Sequence, residues 1–140
     1  YKPGKEATNW LEIGASAWRS DDELPASFSN YGKKSVDFFA PGETIYSTIP
    51  GNAYKELSGT SMASPATAGT AALIMSYFPT LTAVEVKDIL RRSTQRYEKL
   101  QVIKPGTKEK VAFGELSITG GVVNAYNALK LASEYAAKKK

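Results

Sequence analysis

Gly59-Thr60-Ser61-Met62-Ala63-Ser64-Pro65-Ala66 puts a glycine and two hydroxyl residues at the head of a run that stays small and apolar as far as Phe78. Such a run predicts a helix from Thr60 to about Phe78, with Ser61 in its opening turn. Its apolar residues fall on nearly every face, which predicts a helix enclosed by the fold, and Ala63, Ala68, Gly69, Ala71 and Ala72 suit close packing on a sheet. Pro65 reads as a first-turn proline that costs no hydrogen bond. The first N–H groups of a helix lack partners within it and carry partial positive charge, so negative charge developing beside the Ser61 hydroxyl is stabilised there. An acyl-transfer nucleophile needs that environment. Gly-Thr-Ser alone is an ordinary helix entry, so the flanking sequence decides the matter.

Upstream stand Ala26-Ser27-Phe28-Ser29-Asn30-Tyr31-Gly32, Phe39-Ala40-Pro41-Gly42 and Ser47-Thr48-Ile49-Pro50-Gly51. Downstream stand Ala68-Gly69-Thr70-Ala71-Ala72-Leu73 and Gly120-Gly121-Val122-Val123-Asn124-Ala125. Together with the serine motif, this ordered series resembles the subtilisin-like serine proteases from about residue 13 to about residue 129. The resemblance implies an α/β fold of three layers, α/β/α, around a mostly parallel sheet. It assigns the nucleophile to Ser61 and leaves Ser64 as helix structure. It also makes the Ser61 backbone N–H one oxyanion donor, and Ser58, Gly59, Thr60 and Met62 part of the substrate cleft. Ala66 stands where the family commonly has a histidine, but that histidine is not the catalytic base.

A serine hydroxyl is a weak nucleophile and needs a base, usually an imidazole oriented by a carboxylate. The sequence contains no histidine. In the family the aspartate and histidine precede the serine, and nothing before Ser61 resembles either segment. Residues 1–140 therefore read as one piece, the C-terminal segment of a subtilisin-like peptidase domain, with the triad Asp and His and the oxyanion Asn supplied from outside it. The expected function is serine endopeptidase, inactive as the isolated segment, with protein or peptide as substrate. The alternative is a pseudoprotease, or a binding or scaffold module, on the same fold.

Hydrophobic residues are 42% and charged residues 23% of the chain, as in ordinary globular proteins. Cysteine is absent, which excludes disulfides and thiolate metal sites. The net charge of +4 includes Lys138-Lys139-Lys140, read as a solvated terminus, so no nucleic-acid partner is expected. No run of apolar residues is long enough for a membrane span. Tyr1-Lys2-Pro3-Gly4 lacks the apolar core of a signal peptide, and a secreted or periplasmic location is expected from signals upstream. No organic cofactor is implied. Asp37 resembles a position where some family members lend a carboxylate to a weak cation site, so a structural calcium is an open question there.

Trp10–Ala15, Val36–Ala40 and Ile45–Ile49 read as strands, the last ended by the turn Pro50-Gly51-Asn52, after which Tyr54–Leu57 returns toward the serine. Asp21-Asp22-Glu23 reads as a charged surface loop. Thr82-Ala83-Val84-Glu85 is a capping box opening a helix with Val86, Ile89 and Leu90 inward and Lys87, Asp88, Arg91 and Arg92 outward. Residues 95 to 115, with Pro105-Gly106, suggest a surface hairpin, and Asn124 caps a last helix to about Ala137.

Overall fold

The structure, a computed structural model, describes residues 9–139; Tyr1-Lys2-Pro3-Gly4 and Lys140 lie outside them. Three short strands form its parallel centre. β1 (Ile13–Ser16) pairs with β2 (Phe38–Pro41), and β2 pairs through Phe39 with β8 (Gly121–Val122). β5 (Gln95–Arg96) closes the far edge antiparallel to β8, giving the order β1-β2-β8-β5. Strand alternation sends neighbouring side chains to opposite faces, and two adjacent phenylalanines use it. Phe38 enters a core with Ile74, Leu81, Val86, Ile89, Leu90, Ala128 and Ala132, whereas Phe39 enters another with Leu24, Val36, Val102, Phe113 and Leu116. Full burial of each ring contributes about 1.5–3 kcal/mol.

The first of these cores lies under the helices α1 (Thr60–Tyr77), α2 (Ala83–Arg92) and α3 (Ala125–Ala137). The second lies under the hairpin of β6 (Gln101–Ile103) and β7 (Lys110–Ala112) and the 3-10 turn Phe113–Glu115. The predicted hairpin in residues 95–115 is present, and it covers a core that its polar sequence conceals. Among the described residues, helices cover one face of the sheet and this hairpin the other. The capping box forms as read: the Glu85 N–H donates to Thr82 Oγ1, and the Thr82 N–H donates to the Glu85 carboxylate. Asn124 Oδ1 accepts from the Asn127 N–H and caps α3.

Two expectations about α1 are corrected. Ala63, Thr67 and Ile74 are buried, but Ala68, Gly69, Ala72 and Leu73 are exposed, because no other described element lies over that side. The helix is covered on one face rather than enclosed. Pro65 is also its sixth residue, not part of its first turn, so the Ser61 carbonyl has no N–H four residues on to receive. The basic tail differs from its reading too: the Lys139 ammonium donates to the Thr80 carbonyl and to Glu85.

Candidate active site

Ser61 is exposed as the second residue of α1. Gly59 precedes the helix, and its carbonyl receives the N–H groups of Met62 at 3.0 Å and Ala63 at 3.4 Å. No side chain caps this end and no acidic residue occupies its first turn, so the dipole of an 18-residue helix is left uncompensated beside the Ser61 hydroxyl. The Ser61 N–H is itself one of the first-turn donors that no residue within the helix can satisfy. Among the described residues no backbone carbonyl receives it.

The helix start is seated by small residues. Ala63, fully buried, meets Ala15 of β1 and Ala40 of β2 where the parallel strands end at their carboxyl termini. Gly42 follows β2, and its N–H donates to the Ser16 carbonyl. A Cβ there would stand 2.7 Å from Ala15 Cβ, 2.8 Å from the Gly59 carbonyl oxygen and 3.2 Å from Ala63 Cβ, so only glycine fits without displacement. The Gly59 N–H returns a 2.7 Å bond to the Gly42 carbonyl. Two residues on, the Thr44 N–H donates to Ser58 Oγ at 2.8 Å. The stretch leading into Ser61 is thus stapled to the loop after β2.

Ser58, Gly59, Thr60, Ser61 and Met62 are consecutive at this one end of the sheet, and the Met62 sulfur lies close over Gly59. The exposed hairpin of β3 (Ile45–Ile49) and β4 (Ala53–Leu57) leads into them. Gly51 and Asn52 take positive φ in its turn, the geometry that Pro50-Gly51-Asn52 favours. Gly42 and Thr44, which anchor the site, were not singled out for it in the sequence. Glycine at 42 was visible there only as part of a motif, and nothing in the residue type marks Thr44.

Asp37 does not fit a cation site. Its side chain is 8% exposed; one carboxylate oxygen accepts from the Glu12 N–H at 2.8 Å and the other lies 3.3 Å from Arg91 Nε. A guanidinium already supplies positive charge to that carboxylate, and among the described residues no three acidic or histidine side chains converge. Arg91, expected on the solvent face of α2, is half-buried because it makes this pair. Asp21, Asp22 and Glu23 are surface charges as read, paired with Arg19 and Lys110. A surface cleft between Arg19, Glu23, Ser27, Glu43, Lys104 and Gly106 does not include the serine. No described helix is long and apolar enough to cross a membrane.

A helix-bearing, mostly parallel sheet with a serine exposed at a helix start defines an α/β protein with the makings of a nucleophile site. The Peptidase_S8 model, described as the subtilase family, matches residues 1–120, and the chain belongs to that family. Subtilisin DY of Bacillus licheniformis is 54% identical over 65 residues, 46% of this chain and 23% of that protein. The A-subunit of the AB5 toxin from E. coli matches with a TM-score of 0.70 and 26% identity, over 87% of this chain and 37% of that one. A cold adapted subtilisin-like serine proteinase matches with a TM-score of 0.60 and 31% identity, over 81% and 37%. The chain therefore spans less than a quarter of the curated relative and little more than a third of either structure. It carries a C-terminal portion of the subtilisin-like fold and, without histidine, lacks a complete catalytic triad.

Proposed function

We propose that the complete protein is a subtilisin-like serine endopeptidase in which this chain supplies the nucleophile, Ser61. The observation that carries the reading is the exposed Ser61 hydroxyl on an uncapped, uncompensated helix start, within the motif on which the family resemblance rests. Ser61 Oγ attacks the carbonyl carbon of a peptide bond as a histidine outside this chain takes its proton. The carbonyl oxygen becomes an oxyanion facing the Ser61 N–H, with an asparagine amide from outside the chain as second donor. Collapse breaks the C–N bond, the histidine returns the proton to the departing amine, and an ester to Ser61 remains. Water then adds to that ester and releases the acid. Ser58, Gly59, Thr60 and Met62 form the wall of the cleft beside the reacting bond. A secreted or periplasmic location is proposed with this activity, and fractionation of cells making the tagged complete protein checks it.

The test is labelling by a fluorophosphonate, which requires an activated serine. The complete protein is expected to label and to cleave a casein substrate, with both lost in Ser61→Ala and labelling retained in Ser64→Ala. Cleavage that survives Ser61→Ala overturns the assignment. A complete protein that neither labels nor cleaves is a pseudoprotease.

A further inference from the structure

We propose that the contact between Thr44 and Ser58 is a positioning clamp for Ser61, which makes Ser58 more than a wall of the cleft. The inference rests on Ser61 being the nucleophile. Thr44 has φ 55°, in the left-handed region that β-branched residues avoid. Such strain persists only where surrounding contacts over-determine the backbone. Two hydrogen bonds supply such contacts around Thr44. The Thr44 N–H is held by Ser58 Oγ at 2.8 Å, and two residues earlier the Gly42 carbonyl receives the Gly59 N–H at 2.7 Å. Gly42 is itself wedged between Ala15, Gly59 and Ala63.

The two bonds tie Ser58 and Gly59, two of the three residues that lead into Ser61, to a loop anchored at the end of β2. The Ser16 carbonyl fixes Gly42, and Ala15 and Ala40 fix Ala63. The approach to Ser61 is thereby referenced to the sheet at Gly59 and again at Ser58. The Ser58 bond is the outer of these ties and depends on one exposed side chain. Losing it lets Thr44 relax toward an unstrained φ and frees the backbone before the nucleophile. Displacements of about 1 Å in reacting groups cost up to about a hundredfold in rate.

The experiment uses the complete protein, with fluorophosphonate labelling rates, kcat and KM on a peptide substrate, and thermal midpoints measured on the same preparations. Ser58→Ala is expected to slow labelling and lower kcat by roughly tenfold with KM changed less than twofold, while Ser58→Thr, which keeps the acceptor oxygen, recovers most of the rate. A cleft-wall role alone would raise KM and leave kcat intact, and that result overturns the clamp. So does Ser58→Thr as slow as Ser58→Ala, because the hydroxyl would then not be the operative group. Ser58→Cys, close in size but a weak acceptor, carries the same expectation and serves if Ser58→Ala does not fold. Cleavage surviving Ser61→Ala would instead refute the nucleophile assignment, so the two failures are told apart.

Discussion

Replacing Arg91 by methionine removes the charge opposite Asp37 while keeping much of the apolar stem. The Asp37 side chain is 8% exposed and that of Arg91 is 35% exposed. After the substitution, the oxygen facing Glu12 keeps its backbone donor and the other loses its ionic partner. Breaking a fully buried pair typically costs about 3–5 kcal/mol. The retained N–H bond and the water that reaches the Arg91 side put this case at about 2–3 kcal/mol. At about 2–4 °C per kcal/mol, the thermal midpoint of the complete protein should fall by roughly 4–12 °C. Asp37→Asn should cost about 1 kcal/mol, since the half-exposed Arg91 can be solvated once its partner is neutral. In the double variant the losses should be less than additive by about 1 kcal/mol or more. Calorimetry on the four proteins gives the cycle, repeated with calcium and with a chelator. A midpoint unmoved by Arg91→Met, fully additive losses, or a calcium response in the parent that disappears in Asp37→Asn would each refute the ion-pair account.

The exposed side of α1 carries Ala68, Ala72, Leu73 and Met75 and no charge, so the isolated 140-residue chain should self-associate; a monomeric sedimentation profile with a sharp cooperative melt would contradict this. Gly42→Ala forces a Cβ to within 2.7–2.8 Å of Ala15 Cβ and the Gly59 carbonyl, and denaturant unfolding of the complete protein should show a loss of about 1–3 kcal/mol. The Glu85 carboxyl is held down from 4.5 to about 2, chiefly by its bond from Lys139 and then by the Thr82 cap. Because the folded value is the lower one, this stabilisation is complete above about pH 4.5 and disappears as pH falls through about 2. Protection of the amides at the start of α2, taken relative to intrinsic exchange at each pH, should therefore fall across that interval in the parent and begin to fall at higher pH in Lys139→Ala; identical profiles would exclude the Lys139 contact.

The legible parts of the sequence are those whose signals are local. Thr82 with Glu85, Asn124, and the turn at Gly51-Asn52 each satisfy backbone groups within a few residues, so the residue types announce the geometry. The place of Ser61 at a helix start was legible because glycine, hydroxyl and small residues follow one another there. What escaped depends on partners distant in sequence. β5 and β8 are two residues each, too short for an alternation to register, and Val122 is a strand residue only because Phe39 and Gln95 flank it. Val102, Phe113 and Leu116 sit in a polar stretch and become core only when the hairpin folds over Phe39. Arg91 has the spacing of a solvent-facing residue and turns inward because Asp37, on another element, is within reach. The exposed side of α1 was misread because an uncharged helix signals that cover is required without saying which chain provides it.

The pairing of Phe39 with Val122 also sets an order of events. The partners are 83 positions apart, and closing a loop of that length carries a length-dependent entropic cost of about 4 kcal/mol before any contact within it is rewarded. β1 and β2 can pair early, but the other edge of β2 must wait for residues synthesised after Ser61, all of α2 and the entire hairpin. During elongation the edge of β2 stays unpaired while the apolar run from Ala63 to Tyr77 is already outside the ribosome's reach of protection. A pairing of such long sequence separation is expected to slow folding and to leave the growing sheet exposed to association.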